Sequence, residues 1–138
     1  MNKEAAPALS FQVLETLGGI ASRLEAALEP VGLSLAKFGV LSKLVAAGEP
    51  LPLSTLAERS ACVRSNITQL VDRLEADKLV TRVDDPHDRR LVRAALTAEG
   101  RSRHAAGARA LAEAERHIFP AGQRKSLIQL LGVLQAEP

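Results

Sequence analysis

The residues with the most chemistry to offer lie between positions 64 and 93. Read as a helix, this stretch opens with Arg64, Ser65, Thr68, Gln69 and Asp72 on one face, with Asn66 and Arg73 at its margins. Side chains of these types suit the edges of nucleic-acid bases: Arg pairs with guanine, and Asn or Gln with adenine. They concentrate in the first two turns, the end that a reading helix pushes into a major groove. An ordinary solvated helix carries a similar face, so the pattern is not decisive alone. Further on, Arg82, Arg89, Arg90 and Arg93 put four guanidinium groups on one ribbon, with His87 among them. A narrow minor groove attracts such groups through its enhanced negative potential. Asp84, Asp85 and Asp88 offset the charge, and Asp88 is expected to orient an arginine at the ribbon's tip through a charge-assisted bond.

Elements must exist to hold these groups in place. Ile67, Leu70, Val71 and Leu74 make one apolar stripe opposite the polar face, which predicts a helix over 63–77. A short helix over 54–59 precedes it after a break near Ser60-Ala61, and Leu56 and Ala57 are expected to pack on Ile67 and Leu70. Runs at 79–83 and 91–96 alternate like strands around a polar turn that contains Pro86, predicting a solvent-facing hairpin. Upstream, apolar spacing predicts a helix over 9–29, stopped by Pro30 and Gly32. Ser34 caps a second helix, 35–47, ended by Gly48 and Pro50. Leu51-Pro52-Leu53 reads as a short extended connector. Downstream, Thr97 caps a helix over 98–118, and after Pro120 a sixth helix covers 121–135. The fold class expected is mainly α with a small β-hairpin wing, a winged helix-turn-helix flanked by terminal helices. Those terminal helices carry more apolar surface than so short a chain can bury, so a homodimer through the ends is expected.

Composition sets the limits. At 138 residues and 46% apolar content, one domain with a real core is expected. Leu, Ala and Val dominate, with three Phe and no Trp or Tyr, which argues against stacking single-stranded bases on aromatic platforms. No apolar run reaches the roughly 18–20 residues that span a bilayer, so no membrane partner is expected. The start, MNKEAAPALS, lacks the apolar core of a secretory signal, and a single cysteine allows no internal disulfide; a cytoplasmic protein is expected. A net charge of +2 is too small to argue for nucleic acid without regard to where the charges sit. Positions 54–93 hold eight Arg or Lys against seven Asp or Glu. That near-neutrality supports a rival reading, a winged-helix protein-interaction module that no longer binds DNA.

Four segments together resemble the MarR family of bacterial transcriptional regulators: Leu51-Pro-Leu-Ser-Thr-Leu-Ala-Glu-Arg59, Val71-Asp-Arg-Leu-Glu-Ala-Asp-Lys-Leu-Val80, Asp85-Pro-His-Asp-Arg-Arg90 and Leu96-Thr-Ala-Glu-Gly100. The most specific is Asp88-x-Arg90 followed by Leu96-Thr97, which ties a wing tip to a helix cap at fixed spacing. The resemblance implies a single MarR-like domain over 1–138, with dimerisation helices at 9–29 and 98–136 and a DNA-binding segment at 34–97. It implies duplex DNA and a second copy of the chain as partners, with repression at a pseudo-palindromic operator. It places Arg64, Ser65, Asn66, Thr68 and Gln69 at the major groove and Arg90 in the minor groove, with Asp88 as its partner and Arg89 as a second contact; Arg73, at the margin of the same face, is a further expected DNA contact. Small phenolic or lipophilic effectors are common in the family, which implies a cleft near Leu17, Phe38, Leu41 and Arg101 or His104. One departure stands out. The turn before the reading helix commonly runs Gly-Val-Ser, and here it is Ala61-Cys62-Val63, so the capping hydroxyl is absent and Asn66 or Ser65 is the expected substitute.

The remaining reactive residues point nowhere else. Cys62 is expected to pack as a small buried thiol, although Arg64 and a helix N-terminus beside it could also activate it. His104 and His117 are too far apart on one helix to bind one ion, and His87 is remote, so no metal or cofactor is expected. No nucleophile–base pair, phosphate-cradling glycine loop or paired carboxylates can be assembled, so an enzyme is not expected.

Overall fold

Two hydroxyl groups begin helices where the sequence predicts. Ser34 Oγ accepts from the Lys37 N–H at 3.1 Å, and Thr97 Oγ1 accepts from the Gly100 N–H at 2.9 Å. The computed structural model, which describes residues 8–60 and 64–136, continues each cap into its helix. In order, the elements are α1 (Leu9–Leu28), α2 (Leu35–Ala47), β1 (Leu51–Pro52), α3 (Leu53–Arg59), α4 (Arg64–Ala76), β2 (Val80–Asp84), β3 (Val92–Leu96), α5 (Ala98–Ile118) and α6 (Arg124–Gln135). This is a mainly helical chain with a small β wing. Among the described residues, no single helix is long and apolar enough to cross a membrane.

Three local features differ from expectation. The expected connector at Leu51-Pro52 is an edge strand: Leu51 pairs with Ala94 and Pro52 with Arg93, giving an antiparallel sheet ordered β1-β3-β2. A proline is tolerated there because an edge strand need not donate on both sides. The first helix passes into a 3-10 turn, Glu29–Val31, where Pro30 sits at the second position and its missing N–H costs no bond. The last helix is preceded by a second 3-10 turn, Ala121–Gln123, and so starts at Arg124.

The core lies beneath the middle of the chain. Leu41 and Leu44 of α2, Leu56 of α3, Ile67, Val71 and Leu74 of α4, and Val80 and Ala94 of the sheet are buried together. From α1 only Leu28 is buried, and no residue of α6 is.

Glycines set how closely α5 approaches this core. A Cβ on Gly107 would lie 2.9 Å from Phe38 Cδ2 and 3.0 Å from Leu33 Cδ1. At Gly100 it would overlap the backbone carbonyl oxygen of Leu79. Thr97 reinforces the same junction, its hydroxyl lying 2.8 Å from the Lys78 carbonyl oxygen and 3.0 Å from that of Leu79. Leu79 N–H in turn donates to Leu74 O across the end of α4, where Lys78 takes a left-handed φ of 64°.

Candidate nucleic-acid interface

The reading face is built by α4. Its apolar stripe is turned inward, with Ile67, Val71 and Leu74 fully buried and Leu70 partly so. Asn66, Thr68, Gln69, Asp72 and Arg73 are exposed on the other side. Arg64 opens the helix. The side chains of Arg64 and Ser65 lie outside the described part of the structure, as do Ala61, Cys62 and Val63 with the expected missing cap and thiol. Small Ala57 and Leu56, both buried on α3, stand against this helix as expected.

The wing tip is organised by two aspartates. Arg89 and Arg90 are the central residues of a turn closed by the Leu91 N–H donating to Asp88 O at 3.0 Å. Asp88 Oδ1 accepts from the Arg90 backbone N–H at 2.9 Å, an Asx turn that fixes the backbone at the arginine. The same oxygen lies 3.5 Å from Arg90 Nε, while the Arg90 side chain is 94% exposed. The two-residue spacing from Asp88 lets its carboxylate reach the backbone amide of Arg90 and set where that side chain leaves the turn. Asp85, by contrast, is buried, and the sequence reading gave it only a charge-offsetting role. Its Oδ1 accepts from the N–H groups of His87 at 2.8 Å and Asp88 at 3.1 Å, and its Oδ2 takes Arg93 Nε at 2.7 Å. The His87 amide bond, with those from Arg93 and the Asp88 amide, holds its carboxyl below the ordinary value despite desolvation.

The four wing arginines thus divide into two pairs, which corrects the expectation of a uniform guanidinium ribbon. Arg93 is committed to Asp85. Arg82 turns back to α4, bonding Asp72 and Glu75 and lying 3.5 Å from the Thr68 carbonyl oxygen. Desolvation opposes its charge, yet the bonds and attraction of the two carboxylates raise its pKa above the ordinary value. Asp72, read from the sequence as part of the base-facing set, is a partner of Arg82 instead. Arg89 and Arg90 alone of the four project from the tip. Among the described residues, no hydrogen bond or ion pair holds the side chain of Arg73 or Arg89.

Of the residues expected around an effector cleft, Phe38 and His104 come together and Leu17 lies elsewhere. Leu41 is fully buried in the core, and Phe38 stacks on His104 with ring centroids 4.9 Å apart and planes 8° from parallel. His104 Nε2 lies 3.1 Å from Ser42 Oγ, and burial pushes its pKa down. Leu17 belongs to a different place, an apolar groove of about 800 Å³ between α1 and α6 that Ile20, Phe119, Leu127 and Leu131 also line. Among the described residues, no group of three or more His, Cys, Asp or Glu could hold a metal ion.

A short helix, a break, an amphipathic helix with a polar outer face, and a hairpin braced against it define a winged helix-turn-helix. Comparison with known proteins finds the same architecture among MarR-family regulators. The sequence pattern of the MarR family matches residues 31–91. The uncharacterised HTH-type transcriptional regulator YhbI of Bacillus subtilis (strain 168) is 35% identical over 77 residues, 56% of this chain and 49% of that protein; the match thus spans about half the relative's length. Among solved structures, a MarR-family transcriptional regulator from Rhodococcus sp. RHA1 superposes with a TM-score of 0.81 at 29% identity, covering 94% of each chain. CouR from Rhodococcus jostii RHA1, bound to p-coumaroyl-CoA, gives 0.84 at 27%, covering 97% of this chain and 94% of its own. Sco3205, a MarR-family regulator from Streptomyces coelicolor in complex with DNA, gives 0.81 at 26%, covering 96% and 91%. Residues 31–91 thus match the MarR family pattern, and the chain as a whole shares the fold of MarR-family transcriptional regulators.

Proposed function

We propose that this protein is a homodimeric, sequence-specific DNA-binding regulator that represses from a pseudo-palindromic operator and acts in the cytoplasm. The observation that carries the reading is the pairing of one exposed polar helix face with one exposed arginine turn, both held by a single buried core. Arg64, Ser65, Asn66, Thr68, Gln69 and Arg73 serve the major groove, and Arg89 and Arg90 the minor groove, with Asp88 as the orienting group. The division of labour along the single domain is 34–97 for DNA and 9–29 with 98–136 for dimerisation. Exposed Leu14 and Leu17 of α1 and Leu131 and Leu134 of α6 support that division, since a second copy would remove them from water. Two-fold symmetry then sets the two reading helices about 34–36 Å apart, one turn of duplex. The aromatic acyl ligand of CouR supports a small phenolic or lipophilic effector that relieves repression.

Selection of bound sites from a random duplex pool tests the whole reading. Recovery of a palindrome with half-sites one helical turn apart is expected, and an enriched pool without symmetry rejects the dimer. On the recovered site Arg90→Ala is expected to weaken binding at every sequence, whereas Gln69→Ala relaxes preference at one base pair by about 1–3 kcal/mol. Wild-type affinity in Arg90→Ala rejects the wing assignment. A steep fall in affinity with added salt, near −0.9 in log–log slope per phosphate contact, separates this function from a protein-docking module.

A further inference from the structure

Arg82 differs from the other wing arginines in facing the reading helix. Its backbone N–H donates to Glu75 Oε2 at 3.0 Å and its Nη1 to Glu75 Oε1 at 2.9 Å. Its Nη2 donates to Asp72 Oδ1 and, at 3.5 Å, to the carbonyl oxygen of Thr68. Positions 68, 72 and 75 lie along one face of α4, about 10 Å from first to last by helix rise. One guanidinium fork spans that face, which a lysine point charge could not do. Past this residue Val83 and Asp84 are exposed and touch the rest of the protein through their pairing with β3, so Arg82 is the bond from β2 directly to α4. Asp72 and Glu75 also need explaining, because two carboxylates on a helix that faces phosphate would repel it unless neutralised.

We propose that Arg82 is a positioning residue, a latch that fixes the wing's angle to α4 and hence the distance from the polar face of α4 to the Arg89–Arg90 turn. The latch rests on the DNA-binding reading above for its consequence, but its geometry can be tested without DNA. A rigid latch lets both contacts form in one docking event with no cost of ordering the wing at that moment. The same bonds place one positive charge between Asp72 and Glu75, so the helix approaches phosphate with a net charge of −1 there instead of −2.

Spin labels at Ala76→Cys and His87→Cys in a Cys62→Ser chain, diluted with unlabelled protein, report the wing-to-helix distance by pulsed electron resonance. A narrow distribution is expected with Arg82 present and a broad one in Arg82→Gln. Arg82→Lys, which keeps the charge and loses the fork, is expected to stay broad; a narrow distribution in Arg82→Lys or in Arg82→Gln overturns the latch. Asp72→Asn, altered on an exposed face, supplies an intermediate broadening if Arg82→Gln proves unstable to heat. On the duplex recovered by selection, Arg82→Gln is expected to weaken binding on the order of tenfold, in keeping with lost charge-assisted bonds. In that background Arg90→Ala should lose most of its effect, a coupling that simple loss of stability does not produce. Wild-type affinity or full additivity with Arg90→Ala overturns the proposal. If the wild type binds no duplex while Arg82→Gln broadens the distribution, the latch stands and the DNA reading falls.

Discussion

The winged middle of the molecule and its terminal helices solve the burial problem in opposite ways. Between Leu33 and Ala94 the chain closes a core, and its charged groups are paired across elements: Lys37 with Asp77 at 2.8 Å, Arg93 with Asp85, Arg82 with Asp72 and Glu75. The ends do the reverse. Leu134 of α6 is 67% exposed and Leu14 of α1 61%, with few cross-element bonds beyond Arg23 Nη2 to the His117 carbonyl at 3.5 Å. The difference teaches that stability and assembly are written in separate stretches. The middle closes its core with Leu28 and the inner face of α5, whereas α1 and α6 leave much apolar surface exposed.

Several substitutions would break or sharpen that contrast. The largest effect is expected from Gly100→Ala, whose Cβ meets the Leu79 backbone, a group that cannot rotate away. A loss of about 3 kcal/mol in denaturant unfolding is expected, and a loss below about 1 kcal/mol would show that α5 can back off from the sheet. On the other side of the comparison, Leu131→Asp combined with Leu134→Asp is expected to weaken self-association on the order of 100-fold in sedimentation while the middle retains its hydrogen-exchange protection. Loss of protection in the middle at a concentration where the wild type is already monomeric would abolish the distinction between the two regions.

A smaller effect concerns pH. Burial depresses the His104 pKa, so its neutral form is favoured in the folded state. The unfolded chain then binds more protons just below 6.5, the ordinary histidine value. Stability is therefore fully present above that pH and declines as pH falls from there through the depressed folded value. His104→Gln is expected to flatten this part of the stability profile, and an unchanged slope would assign it to other groups. The smallest effect, a gain of about 0.5–1 kcal/mol, is expected from Lys78→Gly, because glycine takes a positive φ at the end of α4 without strain.

Much of this architecture was legible in the sequence because its signals are local. Ser34 and Thr97 lie three residues before the amides they cap, and Ile67, Leu70, Val71 and Leu74 repeat with the helix period. Asp88 reaches an amide two residues away. The parts that escaped depend on partners brought together by the fold. Arg82 finds Asp72 and Glu75 only after a turn reverses the chain, and Arg93 finds Asp85 only across the hairpin. Nothing in either arginine's immediate neighbours separates it from Arg89 and Arg90. Leu51-Pro52 is a strand only because β3 arrives some forty residues later to pair with it. A buried Asp85 was hidden for the same reason, standing in sequence between exposed acids of equal charge.

The bare backbone at Gly100 has a mechanical meaning. With a carbonyl seated where a side chain would be, and Thr97 bonded on the same spot, the root of α5 is pinned to the sheet. Gly107 seats it a second time, against Phe38 and Leu33, about 10 Å further along at the rise of an α-helix. A rod seated at two points cannot turn about either, so α5 joins the sheet to α2 as a strut.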